Sequence, residues 1–170
     1  MYSQHVNRVY RRLYESHDLD YFNVKLKESD LTIGVDKTSY SDSLVAMCRQ
    51  ELIRIRADLE SYILLQPSLR HSLEPIQLLP SAPPLIRLMA DAARQAGVGP
   101  MAAVAGAVAQ AIGEKLDPVV KSVIVENGGD IYLNSHRERV IAVYAGDSKF
   151  SQLVGLKIKA EQQPLGICTS

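Results

Sequence analysis

Asn127-Gly128-Gly129-Asp130 is the stretch of this 170-residue chain whose residue types and spacing could do chemistry. Two adjacent glycines permit positive φ and leave no side chain over the main chain. Successive N–H groups bared in this way can cradle an anion such as a phosphate. The same four residues suit a hairpin turn, and on local residues alone that plainer reading is preferred. A second glycine turn, Gly97-Val98-Gly99, precedes Pro100. A helix N-terminus beside such a turn, with Gly99 and Met101 lining it, can also take an anion, though a simple turn between helices reads the same way. Other chemistry is sparse. Cys48 and Cys168 fit no Cys-x-x-Cys pattern and read as reduced thiols, which points to the cytoplasm. His5, His17, His71 and His136 are scattered without zinc-site spacing. No P-loop, dinucleotide glycine fingerprint or Ser-His-Asp set is visible.

The glycine pair needs rigid elements on both sides. Pro100 suits the first turn of a helix rich in alanine from Ala102 to Ala111, with Val104, Val108 and Ile112 as its apolar stripe. Gly106 and Gly113 weaken that helix by roughly 1 kcal/mol each, a cost offset if another backbone or a bound molecule approaches closely. Gln110, Glu114 and Lys115 keep the apolar run below the ~20 residues a bilayer requires. Val119, Val120, Val123, Ile124 and Val125 then read as a buried strand. Ile131-Tyr132-Leu133 resumes an extended pattern after the turn.

Upstream, Tyr10–Tyr14 reads as an exposed first strand. Phe22, Val24 and Leu26 alternate with polar residues, as do Leu31, Ile33 and Val35, so two strands flank a turn at Glu28-Ser29-Asp30. Ser41 or Asp42 caps a long helix whose apolar face is Val45, Cys48, Leu52, Ile55, Leu59 and Tyr62. Its charges, Arg49, Arg54, Arg56, Asp58 and Glu60, read as a solvated face. Cys48, in the stripe, is expected to be an inert core thiol. Pro67 stops the helix at Gln66, and the proline-rich stretch 67–84 reads as a crossover that shapes the mouth of a pocket. Leu85–Gln95 is a short helix with Leu85, Leu88, Met89, Ala92 and Ala93 buried, ended by Gly97. Residues after Leu133 read as a hairpin through Val140–Tyr144, and Leu156–Ala160 as a last strand with lysines outward. Strands and helices segregated in this way argue for an α+β fold, mostly antiparallel sheet packed against long helices.

An alanine-rich helix, a short loop, a valine-rich strand and Gly128-Gly129-Asp130-Ile131 together resemble the central segment of the ApbE family of flavin transferases. Those enzymes take FAD and, with magnesium, attach FMN to a protein Ser or Thr. The chain is more similar still to a mostly prokaryotic branch of that superfamily that lacks an export signal, carries Lys-Glu-x-Asp-Leu near its N-terminus and has no established reaction. Here that segment is Lys27-Glu28-Ser29-Asp30-Leu31. Cys168-Thr169-Ser170 resembles the start of the transferases' Ala-Thr-Ser-Gly loop. The resemblance implies an ApbE-like domain over residues 1–170, with FAD held by Asn127, Gly128, Gly129, Asp130, Cys168, Thr169 and Ser170. Backbone amides would face phosphate, Asp130 ribose or metal, and the Ala105 carbonyl the metal. Lys27, Glu28 and Asp30 are further contacts open to this reading, against a solvated turn.

The departures count too. The transferases carry Ala-Lys-Gly where this chain has Ala105-Gly106-Ala107, and Asn-Leu where it has Glu126-Asn127. Their magnesium-binding Asp and Thr lie beyond the Thr-Ser loop, whereas this chain stops at Ser170. It therefore reads as a fragment or cleaved product that lacks a C-terminal segment, with that remainder as a partner and magnesium bound only in its presence.

Composition bounds the alternatives. Formal net charge is zero, so no global field favours nucleic acid or an anionic membrane, and the lack of Trp removes one common anchor for base or sugar stacking. The N-terminus has no apolar core of a signal peptide. One domain is expected: strands and long helix over 1–66, crossover over 67–84, then two helices and antiparallel strands over 85–170. Homo-oligomerisation stays open. Three functions remain: a flavin-nucleotide-binding protein, a non-flavin nucleotide- or metabolite-binding enzyme on the same scaffold, and a structural or interaction module.

Overall fold

Five strands in the order β1-β2-β3-β4-β7 form the main sheet, with every neighbouring pair antiparallel. The structure, a computed structural model, describes residues 16–143, 148–149, 151 and 153–168. The strand expected at Tyr10–Tyr14, His5, and Thr169-Ser170 lie outside the described residues. Strands β1 (Leu19–Leu26) and β2 (Ser29–Asp36) make a hairpin closed by Lys27-Glu28. Helix α1 (Asp42–Leu65) follows, then one helical turn, α2 (Ser68–His71), in the crossover. Helix α3 (Pro84–Ala96) leads through a 3-10 turn at Pro100–Ala103 into α4 (Val104–Leu116). Strands β3 (Ser122–Asn127) and β4 (Asp130–Ser135) form the second hairpin. Strands β5 (Arg139–Ala142) and β6 (Gly155–Ile158) pair with each other, and β7 (Leu165–Ile167) returns to β4.

Pleating decides which face is buried. Phe22, Ile33, Val125 and Tyr132 lie in register across β1 to β4 and belong to the core formed with the helices. Leu44, Cys48, Leu52, Ile55, Leu59 and Tyr62 are the buried stripe of α1, which is capped by Ser41 accepting from the Leu44 N–H at 3.2 Å. The α+β reading holds. Burial pushes the Cys48 thiol up to about 12, as befits a core side chain.

Four expectations need correction. First, Val119 and Val120 are not strand: both N–H groups bond the Leu116 carbonyl, so α4 unwinds through a turn and β3 starts at Ser122. Second, α3 buries Leu85, Ile86, Met89, Ala90 and Ala93; Ala92 is exposed and Leu88 half-buried, a rotation of the stripe. Third, β5 does not join β4. Arg139 at its start is 7% exposed, gripping Asp18 at 2.7 and 2.9 Å and the Ser135 hydroxyl at 3.0 Å, and β5 pairs with β6 outside the main sheet. Fourth, the strand expected over Leu156–Ala160 is not the last: it ends at Ile158, Ala160 opens a 3-10 turn, and β7, too short for any periodicity to reveal, takes the edge of β4. No single helix among the described residues is long and apolar enough to cross a membrane.

The end of β2 carries a buried polar knot. The Asp36 carboxylate accepts from the Thr38 and Ser39 hydroxyls at 2.8 and 2.7 Å and from the Lys121 and Ser122 N–H groups at 2.7 and 3.1 Å. Burial works to raise this carboxyl, but those four donors outweigh it and hold it at about 2. The folded value is below the unfolded one, so the stabilisation is complete above about pH 4 and is lost as pH falls toward 2. It amounts to ~2 kcal/mol. Asp36→Asn is expected to lower stability by about that much at pH 7. The gap from the parent protein should close as urea titrations are repeated toward pH 2.5; a gap independent of pH would contradict the assignment.

Candidate functional site

Alternation continues to the end of the sheet, but the residue types change. After Val123 and Val125, the next inward position of β3 is Asn127. Before Leu31 on β2 it is Ser29, and before Tyr132 on β4 it is Asp130. Apolar core gives way to polar groups where the first turn of α4 arrives. The Asn127 side chain, buried, donates from Nδ2 to the Ala105 carbonyl at 3.0 Å. That bond uses one of two lone pairs on Ala105 and ties the hairpin to the helix. The Asp130 carboxylate accepts the Gly106 N–H, which suits a helix N-terminus. Burial raises its carboxyl above the usual range, Gly106 opposes this and Glu126 adds to it. A Cβ on residue 106 would lie 3.3 Å from Asp130 Oδ2; glycine there lets the carboxylate reach the helix.

Gly128 and Gly129 have φ of 66° and 106° and form a two-residue turn between paired Asn127 and Asp130. The Gly129 N–H donates to Glu126 Oε1 at 2.9 Å. The turn is thus the hairpin that local residues favour, and a hollow adjoins it. Beside it opens a cleft of about 560 Å³, within the range that takes small-molecule ligands. Asn127 and Gly128 line it; Gly129 and Asp130 do not. Cys168 is exposed and, by continuing the β4–β7 register one step, stands opposite Asp130. The structure therefore brings the described candidate residues to one end of the sheet, around the first turn of α4.

One wall of the cleft is apolar: Ile55, Leu59 and Ile63 from α1, Leu85 from α3, and Met101, Val104 and Val108 from the α4 side. Its rim is charged. Lys27, Glu28 and Ser29 of the first hairpin line it, but Asp30 does not; Arg56, Glu60 and Arg70 complete it. The Lys27 Nζ bonds both Glu60 oxygens at 2.8 and 2.6 Å. Lys27 has φ 52°, alone among the described non-glycine residues in being positive, at an energetic cost of about 1 kcal/mol or more. Arg70 comes from the crossover, the segment expected to shape a pocket mouth. Gly99, near the second anion site considered, instead packs its Cα against the Ser72 carbonyl.

Arg56, expected on a solvated face of α1, stands on the cleft instead. Only 13% of its side chain is exposed. Its spacing, four after Leu52 and three before Leu59, places it beside the apolar stripe, and that was the available signal. Among the described residues no three or more His, Cys, Asp or Glu side chains are grouped to hold a metal ion; magnesium bound with a nucleotide takes one or two carboxylates and completes its octahedron with phosphate and water oxygens.

The chain matches the family model described as "AbpE bacteria" over residues 11–170. A UPF0280 protein of Methanococcus maripaludis strain C7 is 39% identical over 150 residues, covering 86% of this chain and 59% of the relative. One from Methanocaldococcus jannaschii is 38% identical over 147 residues, covering 85% and 58%. A third, from Methanococcoides burtonii, is 36% identical over 147 residues, covering 86% and 60%. The chain spans about three fifths of the length of these curated relatives. A match over nearly all of the chain, on a sheet and helix arranged as the ApbE resemblance implies, leads to one conclusion: this chain belongs to the ApbE-like family described as AbpE bacteria, with UPF0280 proteins as its relatives.

Proposed function

We propose that the cleft binds a flavin nucleotide, FAD foremost, and that FMN transfer with magnesium would need the Asp and Thr that the resemblance implies after the Thr-Ser loop. One observation carries the reading: Asn127 and Gly128, binding candidates by their residue types, line a cleft with an apolar wall and a charged rim on which Lys27, Arg56 and Arg70 outnumber Glu28 and Glu60. An isoalloxazine ring suits the wall formed by Ile55, Leu59, Val104 and Val108; phosphates suit the rim. The test is titration of the full chain with FAD, read by flavin fluorescence, which no tryptophan complicates. Quenching is expected. At a hundredfold excess over Kd the ligand adds ~2.7 kcal/mol, raising Tm by roughly 5–10 °C for a chain of this size. Unquenched fluorescence together with an unmoved Tm at millimolar FAD would sink the reading.

A second reading, a non-flavin nucleotide- or metabolite-binding enzyme, is favoured by Gly106. The transferases have lysine where this chain has Gly106, and here the Asp130 carboxylate reaches the space above it. A neutral small residue beside an acid would change which ligand group is welcome there. Stabilisation by another nucleotide or a pterin, with none by FAD, selects this reading. Stabilisation by no metabolite favours a structural or interaction module.

A further inference from the structure

We propose that Arg56 is the anion-recognition residue of the cleft and that Glu28 is its displaceable counter-ion, so that a phosphate or pyrophosphate group docks by taking over the place of the Glu28 carboxylate. This deepens the flavin-nucleotide reading by naming what holds the phosphates.

The guanidinium is pre-positioned by two partners, of which Ser29 is buried and Glu60 partly exposed. Nη1 donates to the Ser29 hydroxyl at 2.8 Å, and Nη2 to Glu60 Oε1 at 3.1 Å. Ser29 is 8% exposed, and Glu60 lies one turn further along α1. These two partners orient the planar fork. The third partner differs. Glu28 reaches Nη2 at 2.5 Å from the hairpin turn, yet its side chain is 84% exposed. Ion pairs that open to solvent are weak and easily exchanged.

Donor capacity is also left over. A guanidinium has five N–H groups, and three bonds are made. Nε is buried without a partner. A tetrahedral oxyanion offers several acceptors to such a fork, whereas Glu28 places one oxygen on it. Neutralisation is incomplete as well. Both Glu60 oxygens bond Lys27, which draws that carboxylate's charge away from Arg56. Arg70, on the cleft lining, has no carboxylate partner among the described residues. Three cations, Lys27, Arg56 and Arg70, thus face two carboxylates, and one of these, Glu28, is held only from the solvent side. The glycine turn is the weaker candidate for this task, because the Gly129 N–H is committed to Glu126.

The test uses the full chain with sodium pyrophosphate, FAD and riboflavin as separate probes, read by calorimetric titration. Glu28→Gln, a change at an exposed turn that leaves the fold intact, is expected to tighten pyrophosphate and FAD binding about 2- to 5-fold and leave riboflavin unchanged. Arg56→Lys keeps the charge but removes the fork and is expected to weaken both phosphorylated probes at least about 10-fold. Arg54→Gln, on the same helix outside the cleft, is the control and should change neither. Equal affinities in the parent and the Glu28→Gln and Arg56→Lys variants would overturn the proposal, even if FAD binds. Pyrophosphate binding that depends on Arg56 while FAD fails to bind would uphold it and remove the flavin reading. Failure of pyrophosphate and FAD alike to bind ends both.

Discussion

Gly99→Ala should cost about 4 kcal/mol or more, placing it among the rare severe substitutions. Gly99 has φ −72° and ψ 150°, so its backbone would tolerate any residue. The obstacle is space. A Cβ would stand 1.8 Å from the Ser72 carbonyl oxygen, 2.7 Å from its carbon and 3.1 Å from the Leu73 Cα. All three atoms are backbone, so no rotamer relieves the clash. Ser72 is itself held, its N–H on the Ser68 carbonyl at 3.0 Å and its hydroxyl on the Glu74 carbonyl at 2.6 Å. Accommodation means prising the crossover from the corner between α3 and α4. That exceeds ordinary overpacking, about 1–3 kcal/mol, and is a large share of a domain's 5–15 kcal/mol. The crossover carries Arg70 and the corner carries Met101, both on the cleft. The population that still folds should therefore bind its ligand more weakly. A urea midpoint near that of the parent would show that the crossover does not press on Gly99.

Gly113→Ala runs against helix propensity. In an exposed helix the change would stabilise by roughly 1 kcal/mol; here about 3 kcal/mol of destabilisation is expected. An alanine Cβ would lie 2.0 Å from Cδ1 and 2.4 Å from Cε1 of Tyr132. That ring is 5% exposed, and its hydroxyl donates to Asp117 Oδ2 at 2.6 Å. Moving the ring breaks this bond and unseats β4 from α4, the contact that sets Asp130 over Gly106. The diagnostic is a double-mutant cycle. Tyr132→Leu alone should destabilise by losing ring burial and the Asp117 bond. Combined with Gly113→Ala, it should cost at least ~1 kcal/mol less than the sum of the two changes. Strict additivity in urea unfolding would exclude the clash as the cause.

Both glycines illustrate a division that recurs along the chain. Gly106 and Gly113 were legible as sites of close approach, because a glycine in an alanine-rich helix is costly without a reason. What approaches, Asp130 in one case and Tyr132 in the other, is a matter of register between β3 and β4 and of how α4 lies across them. Arg56 shows the same limit. Its helical spacing is local, but its burial depends on the first hairpin folding over α1, far from it in sequence.

The sequence by itself determined conformations set within a few residues. Asn127-Gly128-Gly129-Asp130 turns because glycine alone enters positive φ freely. Ser41 or Asp42 starts one helix and Gly97 ends another, because the first two supply a side-chain acceptor and the last a left-handed residue. The alternation from Phe22 to Val35 and the stripe from Cys48 to Tyr62 sort inside from outside by periodicity. Tertiary structure alone decided partnership. It set β5 apart from β4, where the buried Arg139 grips Asp18, placed β7 on the edge of β4, and gathered Ser29, Arg56, Asn127 and Gly128 around one cleft. Those outcomes rest on contacts between residues tens of positions apart, whose free energies no local pattern records.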